Sequence, residues 1–291
     1  LNGGAGTRED WSDDRSADWI NLDRGVNGCE RIEAFFSGEA YVPHRHDTYA
    51  IGRTLSGVQR FRYRGEVRDG LPGTAMVLHP DEVHDGQAGT EAGFHYRMIY
   101  LDPALIQAVL GGHRALPFVS GGISADIRLL DALDGMIMAP AKTADPLQFE
   151  DALYDLAQAL DAAGGQSANP MRSIDYNAAL TARNYIRDAL GKPLSLDHLE
   201  TVTGQDRWTL SRHFRAAFGT SPYRYLTMRR LDHARGAIVN GQPLAETAFE
   251  AGFADQAHFT RQFRNAFGLT PAAWRRLIGA PRDHDRSRTR R

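Results

Sequence analysis

Residues 195–226, SLDHLETVTGQDRWTLSRHFRAAFGTSPYRYL, are copied 49 residues further on as residues 244–275, LAETAFEAGFADQAHFTRQFRNAFGLTPAAWR. Asp206 falls on Asp255, Arg212 on Arg261, Phe214 on Phe263 and Arg215 on Arg264. Ala217, Phe218 and Gly219 fall on Ala266, Phe267 and Gly268, and Pro222 on Pro271. Repetition at a fixed offset marks one supersecondary unit used twice. Each copy predicts a short helix (195–202; 244–251), a tight turn at Gly204 or Gly252, and an N-capping Asp (206, 255) that opens a second helix. In that second helix Leu210, Phe214 and Phe218 recur at i, i+4 and i+8, as do Phe259, Phe263 and Phe267, so one face is buried.

The opposite face carries the chemistry. Trp208 and Arg212 lie four apart, as do Ala257 and Arg261, with His213, Arg215, Gln256, Gln262 and Arg264 beside them. Arginine grips guanine O6 and N7 with two hydrogen bonds, glutamine does the same for adenine, and further cations suit phosphates. A solvated polar face explains any one of these arginines, but not the retention of Arg at one outward register in both copies while other positions diverge. Between the copies, Pro222 opens a helical stretch ending at Asn240-Gly241, a rod of about 25 Å at 1.5 Å per residue. It holds the two reading helices nearly one duplex turn apart, so one chain reads two successive major grooves. A preceding helix is expected over 174–190.

Here the chain resembles the AraC/XylS transcription regulators. The resemblance covers residues 174–276 and rests on Gly-x-(Ser/Thr)-Pro after each reading helix and on Gly252-Phe253 in the second turn. It implies base contacts by Trp208 and Arg212 in the first unit and by Gln256 and Arg261 in the second. The first unit departs from the pattern at Glu200, Thr203 and Gln205, where small or apolar residues are usual, and looser packing is expected there.

Composition agrees with this reading. The chain has 291 residues, 42% hydrophobic and 24% charged, values of an ordinary globular protein of about two domains. Its net charge of -2 hides a split at GGQSANP, residues 164–170. Residues 1–172 hold 15 Lys and Arg against 25 Asp and Glu, whereas residues 173–291 hold 19 against 11. An acidic half beside a basic one fits a nucleic-acid binder whose other domain has a different task. No apolar run reaches the roughly 20 residues of a spanning helix, and the first residues do not read as a signal peptide, so a cytoplasmic protein without membrane contact is expected. The single cysteine, Cys29, reads as a structural thiol and argues against DNA alkyl repair, which resembles clusters of cysteines.

The acidic half has another texture. From Tyr41 to Asp102 short segments are punctuated by Gly and Pro, which predicts a compact all-β unit. Helical periodicity returns at 127–138 and 146–160, which suit a homodimer contact. Pro43-His44-Arg45-His46 and the later His84 resemble a cupin barrel, the effector domain of many AraC-type regulators. His44 and His46, two apart, point to one face if they lie on a strand, where a third His from a neighbouring strand could complete a facial metal site. Metal-binding cupins add a Glu soon after the His pair, and Asp47-Thr48-Tyr49-Ala50-Ile51 supplies none there, so no cofactor is expected and His44, His46 and His84 are the residues that would hold a metal. The expected effector-binding set is His44, His46, Tyr49, Arg53, Arg62, His84 and Tyr96, with Arg97 near a carboxylate-bearing ligand.

The sequence thus predicts an α+β chain: a polar arm (1–20), a cupin-like β-barrel with a helical dimerisation segment (21–163), a linker (164–172), an all-α domain with two helix-turn-helix motifs joined by a long helix (173–279), and a basic tail (280–291). Its expected function is sequence-specific regulation of transcription in response to a small molecule, without enzymatic activity. Promoter DNA, the effector, a second copy and RNA polymerase are its expected partners. The alternative is a metal-dependent cupin oxygenase fused to a DNA-binding domain.

Overall fold

The computed structural model describes residues 18–23, 28–138, 145–165, 174–191 and 194–278. Most of the expected polar arm and linker, and the basic tail, lie outside the described residues. Among the described residues the N-terminal half holds ten strands: β1 (Trp19–Asp23), β2 (Cys29–Phe36), β3 (Glu39–His44), β4 (Tyr49–Gly57), β5 (Gln59–Tyr63), β6 (Glu66–Gly70), β7 (Ala75–Leu78), β8 (His84–Ala88), β9 (Phe94–Leu101) and β10 (Ile123–Ser124). They form two antiparallel sheets, β1-β2-β9-β4-β7-β10 and β3-β8-β5-β6. β1 takes in the last two residues of the expected arm, Trp19 and Ile20.

Alternation along the central strands sorts side chains between two cores. Ala50, Met76, Leu78, Tyr96 and Met98 point inward, where they meet Phe61 and Tyr63 of the smaller sheet. Tyr49, Ile51, Val77, Ile99 and Leu101 point outward and are covered by α1 (Pro103–Leu110), α2 (Ile127–Met138) and α3 (Pro146–Ala163). Both faces of β4 are therefore buried. Cys29 sits in the outward core, and burial pushes its thiol up to about 11, which fits a packing role and not a nucleophile.

The C-terminal half is helical: α4 (Tyr176–Asp188), α5 (Leu196–Thr203), α6 (Arg207–Phe218), α7 (Pro222–Val239), α8 (Leu244–Glu250), α9 (Gln256–Phe267) and α10 (Pro271–Ile278). α5-α6 and α8-α9 are the two repeated units. Asp206 accepts from the N–H groups of Trp208 and Thr209, and Asp255 from that of His258, so both reading helices are capped where the spacing predicts. Leu210, Phe214 and Phe218 are buried, as are Phe259 and Phe263. The first unit is not loose at Glu200. That carboxylate accepts from the backbone N–H of Arg207 at 2.7 Å and from its guanidinium at 2.8 Å, tying α5 to the start of α6. The Thr203 hydroxyl donates to the Leu199 carbonyl within its own helix, and Gln205 donates to Asp175 ahead of α4.

The two halves close on each other through paired charges. Arg183 of α4 meets Asp102, and on α7 Arg224 meets Asp81, Arg229 meets Asp47 and Arg235 meets Glu30. Part of the charge split along the chain is thus complementarity between its own halves. Apolar packing follows the same seam, since Met228, Phe263 and Trp274 share one core with Ile32, Phe36 and Tyr96.

Candidate nucleic-acid interface and effector cavity

α6 buries Leu210, Phe214 and Ala217, which turns Trp208, Arg212 and Arg215 outward. Trp208 is 75% exposed, and Arg212 is steadied by a 2.9 Å hydrogen bond from its guanidinium to the Thr209 hydroxyl. α9 repeats the arrangement with Gln256, Ala257, Arg261 and Arg264 exposed. His213 and Gln262, equivalent across the repeat, are half-buried on the flank, with Gln262 beside His258. Six of the eight expected DNA-contacting side chains therefore share the open face of their helix, and these two do not. The position equivalent to Gln256 is Arg207, whose guanidinium is held by Asp197 at 2.6 Å and Glu200 at 2.8 Å. The units thus present unlike surfaces: Trp, Arg, Arg in one and Gln, Arg, Arg in the other. Arg261 and Arg264 also line a groove whose far wall is Val42 and Pro43 of the N-terminal half.

The second site is a cavity of about 240 Å³ between the halves. Its floor is strand-borne: Glu30 and Ile32 of β2, Tyr41 and His44 of β3, His46 and Asp47 just beyond, and Tyr100 of β9. Its roof is helical: Met228, Arg229, Asp232 and Arg235 of α7, Ala266 and Phe267 of α9, and Trp274 of α10. Two buried polar atoms on these walls, His46 Nε2 and Trp274 Nε1, have no hydrogen-bond partner among the described residues. Burial pushes the Asp47 carboxyl up to about 6, against the pull of Arg229 2.8 Å away.

The expected effector set divides. His44 and His46 line the cavity, and His84 stands directly behind, paired with His44 across β3 and β8. Tyr96 points inward one layer deeper, its hydroxyl 2.7 Å from that of the cavity residue Tyr41. Tyr49, Arg53 and Arg62 lie elsewhere, a correction to the expected set. Tyr49 packs in the outward core and donates to the Pro117 carbonyl, Arg53 leaves the same face to pair with Asp134 of α2, and Arg62 is exposed on β5. Strand alternation is the cause: Tyr49 and Arg53 share the outward parity of β4, whereas the inward parity carries Ala50 and Thr54. Arg97 likewise pairs with Glu33 at 3.3 Å. The helical residues Arg229, Arg235 and Trp274 were missed, because a roof supplied by the other half leaves no local pattern.

Each histidine of the cluster has its Nδ1 within hydrogen-bonding distance of a backbone carbonyl: His44 to Val42 at 2.8 Å, His46 to Thr48 at 2.9 Å and His84 to Glu82 at 2.9 Å. A carbonyl only accepts, so each Nδ1 carries the proton and each lone pair resides on Nε2. Burial lowers all three below the ordinary histidine range, His84 to about 4, so the rings are neutral.

Known proteins match both halves. Residues 27–157 match the model of an AraC-like ligand binding domain, and residues 199–277 match that of a helix-turn-helix domain. The right origin-binding protein of Escherichia coli (strain K12) is 33% identical over 93 residues, 32% of each chain. The matched segment thus spans about a third of that relative's length. The uncharacterized HTH-type transcriptional regulator YbfI of Bacillus subtilis (strain 168) is 23% identical over 237 residues, 78% of this chain and 85% of its own. Among solved structures, ToxT from Vibrio cholerae superposes with a TM-score of 0.63 at 9% identity, over 87% of this chain and 100% of that one. A form of ToxT bound to an unsaturated fatty acid gives 0.63 over 90% and 99%. At that identity the likeness is one of fold. No helix among the described residues is long and apolar enough to cross a membrane.

Proposed function

Because the chain belongs to the AraC family of transcription regulators, joining an AraC-like ligand-binding half to a helix-turn-helix half, we propose that it binds promoter DNA with α6 and α9 in successive major grooves and adjusts that binding to a small molecule held in the cavity between its halves. The observation that carries this reading is the open register shared by Arg212 and Arg261, with Arg215 and Arg264 one turn further on. Trp208, Arg212, Gln256 and Arg261 read bases, and Arg215 and Arg264 hold phosphates. α7, at 18 residues, spans about 27 Å and sets the distance between the units.

The cavity roof is the DNA-binding half itself. A ligand that fills the cavity touches α7, α9 and α10 directly, which gives it the differential contact that a population shift requires. ToxT has been solved with a fatty acid and with a naphthalene-based butenoic acid. A carboxylate is a fitting effector here too, given the buried Trp274 N–H that has no partner among the described residues. A roof supplied by the DNA-binding half favours a sensor over the oxygenase alternative. We further assign residues 21–163 to effector binding and 173–279 to DNA binding, in a cytoplasmic protein. A second copy docks along α3, whose outward side exposes Leu147 and Tyr154, and RNA polymerase is the partner of the DNA-bound form.

Band-shift titration on the DNA upstream of the protein's own gene tests the reading. Arg212→Ala and Arg261→Ala are each expected to lose about 1–3 kcal/mol of binding. Wild-type affinity in both variants contradicts the assignment of reading residues.

A further inference from the structure

We propose that His44, His46 and His84 are the seat of a divalent transition-metal ion, and that its occupancy is relayed to the second helix-turn-helix unit through the backbone of β3. The relay rests on the regulator reading above; the seat does not.

Three observations make the seat. One ring nitrogen from each of the three residues lies within 4.8 Å of those offered by the other two, and all three side chains are buried. An ion with bonds of about 2.1 Å needs nitrogens roughly 3 Å apart on one face, so the rings close around it by turning about their Cβ–Cγ bonds. Each ring is also fixed in the tautomer that ligation needs, since its Nδ1–H donates to a carbonyl and leaves Nε2 free. Finally, the His46 Nε2 lone pair is buried without a partner among the described residues, a cost that a bond to a metal ion removes.

The donor set names the class of ion. Three neutral imidazoles suit Zn, Ni, Cu or ferrous iron, whereas Mg and Ca need carboxylate oxygens. The one buried carboxylate adjacent in sequence, Asp47, is engaged by Arg229. His44 and His46 border the cavity, so the remaining coordination positions face it and take water or an oxygen donor of a second ligand.

The relay is equally local. The Val42 N–H donates to the Gly268 carbonyl at 3.2 Å and the Arg45 N–H to the Asn265 carbonyl at 3.1 Å, so the backbone on both sides of His44 is bonded to the end of α9. Asn265 is one helical turn beyond Arg261. A rotation of His44 toward an ion therefore acts on the helix that reads DNA.

The full chain, stripped by a chelator, is titrated with Co²⁺ followed by its visible absorption and with Zn²⁺ in competition against a chromophoric chelator. We expect one ion per chain, with affinity falling about 100-fold in His46→Gln and His84→Gln. His79→Gln, which alters a buried histidine outside the cluster, is expected to keep wild-type affinity. Imidazole ¹⁵N spectra of the wild type, which need no variant, are expected to show three Nε2 signals moving on Zn²⁺ addition while the Nδ1 protons remain. Zn²⁺ is further expected to change DNA affinity about 5-fold or more, an effect absent in His84→Gln. No stoichiometric ion, or equal binding by the cluster variants, overturns the seat. Stoichiometric binding with unchanged DNA affinity overturns the relay. A wild type that binds the ion but no DNA refutes the regulator reading and leaves the seat standing.

Discussion

The imidazole of His44 lies so close against Gly268 that a Cβ at position 268 would stand 2.7 Å from its Nδ1. Gly268 caps α9 in the left-handed conformation, at φ 70°. Its copy, Gly219, caps α6 at φ 74°, where a Cβ would stand 2.5 Å from Pro80. The glycine that ends each reading helix is thus also a point at which that helix touches the N-terminal half. One requirement is set by backbone conformation and the other by contact, and only glycine meets both.

These two requirements separate on substitution. Gly204 is left-handed as well, at φ 67°, but a Cβ there meets nothing. Gly204→Ala is expected to cost about 1 kcal/mol for the backbone alone. Gly268→Ala adds the displacement of His44 and is expected to cost about 3 kcal/mol. Chemical denaturation of the two variants checks the difference, and equal losses would show that the contact contributes nothing.

The seam between the halves makes a second prediction. Asp47 is buried and accepts from Arg229 at 2.8 and 3.0 Å, and Asp232 offers Arg229 a further carboxylate at 3.1 Å. Asp47→Ala leaves the guanidinium short of its main partner and is expected to cost about 3 kcal/mol. Arg229→Met in the same chain should recover much of that loss, which a double-mutant cycle by denaturation measures.

Acid destabilisation is the third. His79 accepts from the Val119 N–H at 2.9 Å, so its other nitrogen carries the proton and donates to the Tyr63 hydroxyl. Burial lowers His79 to about 3 from an ordinary value of about 6.5. Between these values the unfolded chain binds a proton that the native chain does not, so this residue's contribution is complete above pH 6.5 and is lost as pH falls toward 3. From pH 6.5 to 5 the loss is about 2 kcal/mol. Unfolding free energies of wild type and His79→Gln at the two pH values should differ in their decline by that amount; parallel declines would mean that His79 titrates alike in both states.

Much of this arrangement was legible in the residues, and what was not has a common cause. The helix-turn-helix units were readable because capping Asp206 and Asp255, the Phe spacing and the closing glycines are local signals, stated twice. The parity of β4 was not, because both of its faces are buried and Tyr49-Ala50-Ile51 therefore lacks the polar alternation that would mark an outward side. Hence Tyr49 and Arg53 were expected in the cavity and lie outside it. Glu200 looked like a misplaced charge until its partner Arg207, across the turn, was in view. The arginines of α7 were part of a net positive half, yet Arg229 and Arg235 face inward toward Asp47 and Glu30, a long-range pairing that composition does not encode.

On the proposed function, one chain reads two unlike half-sites with α6 and α9. Selection of bound duplexes from a random pool by the full chain, followed by hydroxyl-radical footprinting of the winners, tests it most directly. The expected result is two different short motifs in fixed order, centred about 10 base pairs apart on one face of the duplex, with Arg212→Ala relaxing preference in one motif and Arg261→Ala in the other. Duplexes enriched for a single motif, or without sequence preference, would contradict it.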